Sequence, residues 1–233
     1  MHQPQAPKFW LVTHSTELLK PTNTGQLLLK LAALNPHIAV QQVEWQRKQP
    51  HHDLLAALSQ QAVLLYPNST AMTLSYTQTL AAQQNLNTQL QYAESHASAL
   101  NQQFAPNQQF AADQQLSESQ SLSLLSITAA TQYLSQYQHI ILLDATWQLA
   151  HKIYKQSAYL QTLPSIQLAD APPSQYQLRR NQREVGWCTA EIAIMLLQLC
   201  QQPAAAAQLQ QLFSQFNHAD RNRAKLVSAK FQF

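Results

Sequence analysis

Three short apolar runs set the limits on what this chain can become. Lys8–Thr13 (KFWLVT), Ala62–Leu65 (AVLL) and His139–Leu143 (HIILL) are too brief for buried helices and lack the polar alternation of a half-exposed strand. Ala62–Leu65 and His139–Leu143 therefore read as buried strands, the environment that a parallel sheet covered by helices provides, and Lys8–Thr13 as a short apolar and β-branched strand leading into a helix. The sequence between them supplies the helices. Thr24–Leu34 and His52–Gln60 place apolar residues at helical spacing, while His37–Val43 alternates as a strand. Ser126–Tyr137 predicts a helix before the third run, and another follows from Trp147 to about Ala158, with Leu149, Ile153 and Tyr154 on one side. Short strands are expected at Ser165–Leu168 and Gln175–Leu178. Thr189-Ala190-Glu191 opens an apolar helix running through Cys200, and Ala204–Phe216, just after Pro203, forms a last one. The fold class that follows is α/β, a mostly parallel sheet flanked by helices.

The chain has 233 residues, enough for one sizeable core and short for two full domains. A single domain over residues 1–233 is expected, interrupted by an insertion over residues 68–125. There Gln, Asn, Ser and Ala dominate, and the pentad NQQFA occurs twice, at Asn101–Ala105 and Asn107–Ala111. Glutamine supplies 39 residues of the whole chain. The first part of the insertion, Thr70–Leu100, has the composition of a helix, and residues 101–120 are expected to be loosely ordered.

Composition excludes several function classes. With only two glycines, Gly25 and Gly186, the chain has no glycine cluster through which backbone amides could approach phosphates, so conventional dinucleotide and P-loop sites are ruled out. Two cysteines, Cys188 and Cys200, suit neither a disulfide framework nor a four-ligand zinc site and are expected in the core. No run approaches the length of a membrane span and the N-terminal stretch lacks the build of a signal peptide, so a cytoplasmic protein is expected. Charge is unevenly spread. Residues 1–149 carry five Lys/Arg against seven Asp/Glu, whereas residues 150–233 carry nine against four, a local excess of five positive charges. That excess can be a solvated face or the footprint of a polyanion.

The strand end Leu142-Leu143-Asp144-Ala145-Thr146-Trp147 concentrates the chemistry, because open α/β sheets gather ligands at the carboxyl ends of their strands. Capping of the next helix by Asp144 or Thr146, with Trp147 packed in the core, accounts for the same residues equally well. Arg179, Arg180 and Arg183 form a basic cluster, with Lys152 and Lys155 on the preceding helix. His14 reads as a hydrogen-bonded packing residue, and His51-His52-Asp53 as a histidine-rich loop.

Asp144-Ala145-Thr146-Trp147 resembles the Asp-X-Thr-Trp signature of the DTW-domain family, and four further motifs follow that family's order. Thr13-His14-X-X-Glu17 with Pro21-Thr22-Asn23-Thr24 is similar to its N-terminal element, and Leu64-Leu65-Tyr66-Pro67 to its strand-ending Tyr-Pro. Ser174-X-Tyr176-X-Leu178-Arg179-Arg180 resembles its Ser-X-Tyr-X-Leu-Arg segment, and Thr189-Ala190-Glu191 its helix-opening Thr-X-Glu. The resemblance implies a SPOUT-like fold with a C-terminal knot. It also implies transfer of the 3-amino-3-carboxypropyl group of S-adenosylmethionine to N3 of a tRNA uridine, releasing 5′-methylthioadenosine. Asp144 would then accept the uridine proton or orient the base. Leu65, Tyr66, Pro67, Leu143, Thr146, Trp147, Leu178 and Thr189 would line the donor pocket, and Lys152, Lys155, Arg179, Arg180 and Arg183 would meet RNA phosphates. Glu191 would cap its helix or bind the donor's amino group. The N-terminal Cys cluster of many members is missing here, so no metal is expected. Ala145 stands where Gly is common, and the interval from Tyr66 to Asp144 is longer than usual. Alternatives are a SPOUT-like RNA methyltransferase and a nonenzymatic RNA-binding protein. A chain that makes its own RNA surface can act as a monomer.

Overall fold

The computed structural model describes residues 6–81, 83–84, 88, 91, 129–178 and 186–229, with side-chain surroundings as far as residue 218. Its strands are β1 (Lys8–Thr13), β2 (Val40–Glu44), β3 (Ala62–Leu65), β4 (Met72–Ser75), β5 (His139–Asp144) and β6 (Ser165–Ala169). They form one sheet in the order β2-β1-β5-β3-β6-β4, with every pairing parallel. The sheet is therefore fully parallel among the described strands. The helices are α1 (Ser15–Leu18), α2 (Gly25–Leu34), α3 (His52–Leu58), α4 (Trp147–Gln156), α5 (Ala158–Gln161), α6 (Thr189–Leu199) and α7 (Pro203–Ala229). Residues 76–81 and 129–135 are also helical.

The apolar runs behave as their lack of alternation requires, because successive side chains of a strand enter opposite layers. Phe9, Leu11, Val63, Ile140 and Leu142 join Leu28, Leu31, Leu196 and Phe213 in one core, covered by α2, α6 and α7. Trp10, Val12, Leu64 and Ile141 join Leu54, Ile153 and Leu160 in the other, covered by α3, α4 and α5. From β1 the chain turns through α2 on the first face to β2, at one edge. From β5 it turns through α4 and α5 on the second face, past β3, to β6. The connections leave the neighbours β1 and β5 in opposite directions, which makes the carboxyl ends of these two strands the topological switch point of the sheet. Thr13 and Asp144, paired in register, stand at that point.

Several boundaries differ from those read off the sequence. Met72–Ser75, inside the stretch assigned to the Gln-rich insertion, is the edge strand, and the helical residues 76–81 follow it. Gln175–Leu178 is irregular rather than a strand, because its polar atoms are taken up by side chains of α6 and its neighbours. The helix expected to end near Ala158 stops at Gln156, where buried Ser157 leaves the helical backbone region (φ −122°, ψ 86°), and restarts as the single turn α5. The last helix begins at Pro203, whose missing N–H costs nothing in a first turn, and continues to Ala229. Residues 101–120 of the expected loose stretch lie outside the described residues. Among the described residues no helix is long and apolar enough to cross a membrane.

Candidate functional site

Asp144 ends β5 in a closed polar setting and is only 3% exposed. Its Oδ2 accepts hydrogen bonds from Thr13 Oγ1 at 3.0 Å and Asn23 Nδ2 at 2.9 Å, and its Oδ1 accepts one from Thr189 Oγ1 at 2.8 Å. Three elements thus meet on one carboxyl group: the end of β1, the turn before α2 and the start of α6. Asn23 is itself fixed, since its Oδ1 accepts from Gly25 N at 2.6 Å and its Nδ2 also donates to the Glu17 carbonyl at 3.0 Å. Burial pushes the Asp144 carboxyl above its ordinary value. The hydrogen bonds from Asn23, Thr189 and Thr13 pull back against that shift, and the Glu17 carboxylate nearby adds to it. Asp144 is not the cap of α4. That part belongs to Thr146, whose Oγ1 accepts from Leu149 N at 3.4 Å.

A second carboxylate organises the segment that precedes α6. Glu191 closes a capping box with the Cys188 N–H at 2.9 Å, and it also accepts from Ser174 Oγ at 2.8 Å and Gln175 N at 2.6 Å. Of the two roles open to Glu191 from sequence, the capping role is the one these contacts occupy. Tyr176 Oη donates to the Thr22 carbonyl at 2.6 Å, and Ala190 N donates to Thr24 Oγ1 at 3.3 Å. Residues 174–176 are therefore strapped to both α6 and the turn before α2.

The neighbouring strand ends carry an aromatic stack. The Tyr66 ring, just past β3, lies between Tyr154 and Trp147, with centroids 4.1 and 5.9 Å away and interplanar angles of 21° and 11°. Tyr66 Oη is 2.8 Å from His151 Nδ1. Burial, and then the Tyr154 hydroxyl, raise the Tyr66 proton affinity above that of an ordinary phenol, so it stays neutral in the physiological range. Trp147 is 47% exposed rather than packed in the core, and offers an open aromatic surface at the start of α4. Leu143 is half-buried on the same face as this stack, Leu65 is half-buried and packs on the α2/α6/α7 core of the opposite face, and Pro67 is exposed.

The DTW-domain family model matches residues 1–220. The chain belongs to the DTW-domain family. Membership is consistent with a tRNA-modifying function. No solved structure matches the chain.

Elements scattered along the DTW domain thus converge at the carboxyl ends of the interior strands β1, β5 and β3. Thr13, Asn23, Asp144 and Thr189 share one hydrogen-bonded cluster, and Tyr66 and Trp147 share the adjoining stack. Leu178 is half-buried and packs on the α2/α6/α7 core. Lys152 and Lys155 are exposed on α4. Arg179, Arg180 and Arg183 lie outside the described residues. His14 caps α1 by accepting from Thr16 N at 3.3 Å and stacks on Trp45. His51 likewise caps α3. Cys188 and Cys200 bracket α6, and burial pushes both thiols up to about 12, which makes them inert packing residues. Thr13, Asn23, Gly25, Ser174 and His151 were not singled out as site residues from sequence. The first four sit inside or beside the quoted motifs, which is the signal that could have raised them, whereas His151 has only its position four residues after Trp147, on the same helix face.

Proposed function

We propose that this DTW-domain protein transfers the 3-amino-3-carboxypropyl group of S-adenosylmethionine to N3 of a uridine in tRNA and releases 5′-methylthioadenosine. The observation that carries the reading is the meeting of Leu65–Pro67 and Leu143–Trp147 at the carboxyl ends of the adjacent strands β3 and β5. Half-buried Leu65 and Leu143 and the stacked rings of Tyr66 and Trp147 give this end of the sheet aliphatic and aromatic surface suited to an adenine and a thioether. Leu178 and Thr189 complete the pocket, and Pro67 closes its outer side. Lys152, Lys155, Arg179, Arg180 and Arg183 supply the phosphate contacts. The SPOUT-like path, with a C-terminal segment threaded through a loop, is part of the same reading, supported by the all-parallel sheet.

The donor contributes an electrophilic methylene carbon attached to sulfonium sulfur. Uridine N3 gives up its proton and forms the new bond to that carbon as the carbon–sulfur bond breaks. Asp144 serves by position, because both its oxygens are occupied and it is shielded from solvent. It ties the turn before α2 and the start of α6 to the strand end, so that the pocket wall does not have to be assembled at the moment of reaction. Thr146 fixes the start of α4 and with it the plane of Trp147.

Incubation of the full chain with S-adenosylmethionine and unmodified tRNA, followed by mass spectrometry of the nucleosides and of the by-product, tests this reading. Methylthioadenosine together with an aminocarboxypropyl-uridine is expected. S-adenosylhomocysteine and a methylated nucleoside would make the protein a methyltransferase, and RNA binding with no turnover would make it a nonenzymatic binder.

A further inference from the structure

The transfer needs a group that takes the N3 proton, and the buried carboxyl of Asp144 is poorly placed to do so. A side chain that collects three hydrogen bonds while only 3% exposed has to surrender a partner before it can meet a substrate. The same end of the sheet holds a side chain of the opposite kind. His151 is exposed, lies four residues after Trp147 on α4 and so shares its face, and has one ring nitrogen fixed 2.8 Å from Tyr66 Oη. Tyr66 is held in turn by the rings of Trp147 and Tyr154. The imidazole is thus oriented through Nδ1 by a rigid aromatic stack while Nε2 points away from that bond. This is the arrangement of a base oriented by a hydrogen-bonding partner, and because a tyrosine hydroxyl can accept as well as donate, the contact admits the tautomer that leaves the Nε2 lone pair free.

We propose that His151 is the proton acceptor of the reaction, with Tyr66 as its positioning residue; the proposal rests on the transfer reading above. In the working tautomer Nδ1–H donates to Tyr66 Oη and Nε2 carries the lone pair. Nε2 takes the proton from uridine N3, and the N3 electron pair forms the bond to the donor's methylene carbon. The carbon–sulfur bond breaks with its electrons on sulfur, leaving neutral methylthioadenosine. The imidazolium keeps its bond to Tyr66 and returns its proton to water. His14, which follows the carboxyl end of β1, does not fit the role. Its Nδ1 caps α1 and its ring stacks on Trp45, which follows β2 on the far side of β1.

The test is single-turnover methylthioadenosine release by the full chain on unmodified tRNA, comparing wild type, His151→Gln and His151→Ala. The glutamine amide keeps a hydrogen-bond partner for Tyr66, so it separates a structural role from a chemical one. Both variants are expected to bind S-adenosylmethionine and tRNA much as wild type does, and to lose about 10²-fold or more in rate. Imidazole added to the buffer should restore part of the His151→Ala rate. A normal rate in His151→Gln, or no recovery of His151→Ala with imidazole, would overturn the assignment. If the wild-type chain releases no methylthioadenosine, the transfer reading itself fails, and that result is visible before any variant is compared.

Discussion

Gly25 owes its identity to Asp144. A Cβ at this position would stand 2.5 Å from Asp144 Oδ2 and 2.7 Å from Oδ1, inside any permitted contact and against a side chain fixed by three hydrogen bonds. Gly25→Ala should therefore destabilise the protein by roughly 1–3 kcal/mol, the usual cost of overfilling a packed site, even though alanine is the better helix former. A thermal melt of the variant checks this, and an unchanged melting temperature would mean that the turn before α2 yields easily. Asp144 adds a pH dependence. Because burial raises its folded-state affinity for a proton, the stability it contributes is complete below its ordinary value of 3.8 and is lost as pH rises through the folded value. Asp144→Asn removes that titration. The variant should gain stability relative to wild type as pH climbs from about 4 toward neutrality, as parallel melts across that window would show. It should also keep more of the transfer rate than His151→Gln does; the reverse order would return the proton to Asp144. Little of this network was legible in the sequence. Thr13 and Asn23 stand 131 and 121 residues from Asp144 along the chain, and no local pattern reports a hydrogen bond at that separation. Only the family resemblance of the segments around them pointed to the same place.

Among the elements, α6 shows how a helix start can fix a neighbouring loop. Glu191 satisfies the Cys188 amide within its own helix and the Ser174 hydroxyl and Gln175 amide outside it. Glu191→Ala would leave the buried Cys188 amide and the half-buried Ser174 hydroxyl without acceptors, so a loss of about 1–3 kcal/mol is expected, with faster amide exchange at Gln175 as the local sign that the strap has opened. Exchange at Gln175 no faster than in wild type would show that Tyr176 and Thr22 hold the strap by themselves. The elements most readable in advance were those buried on both faces: β1, β3 and β5 declare themselves as apolar runs because nothing polar faces either core. The edge strand β4 gave no such sign, since Met72 and Thr73 are exposed and only Leu74 is buried. Gln175–Leu178 had the alternation of a strand without the neighbour to pair with. Thr146 and Asp144 competed for one capping role in the sequence, and the choice between them needed the positions of Thr13, Asn23 and Thr189.

At the scale of the whole molecule, an uneven charge accompanies a site at one end of the sheet. The Asp144 cluster and the Tyr66–Trp147 stack lie at the carboxyl ends of the strands, and the C-terminal part beyond β5 carries five more positive than negative charges over residues 150–233. Lys152 and Lys155 project from α4, the helix that also bears Trp147 and His151, so the described part of the basic surface adjoins the aromatic stack. A polyanion steered to that surface would meet the strand ends without any reorientation of the domain. If these side chains bind RNA phosphates, replacing Lys152 and Lys155 together with alanine should weaken tRNA binding and reduce the slope of log affinity against log salt by roughly one unit per lost contact. Arg179→Ala with Arg183→Ala should do the same from the other basic segment. The two pairs should add when combined, provided that they touch different phosphates. Donor affinity should stay close to wild type in the lysine variant, because neither lysine belongs to the Leu65–Pro67 or Leu143–Trp147 segments, and should change less than tRNA affinity in the arginine variant. Titrations of tRNA at several salt concentrations read the slope directly, with donor affinity measured in parallel. A slope that stays at the wild-type value while affinity falls would mean that these residues shape the surface without meeting phosphate, and would move the RNA path away from α4.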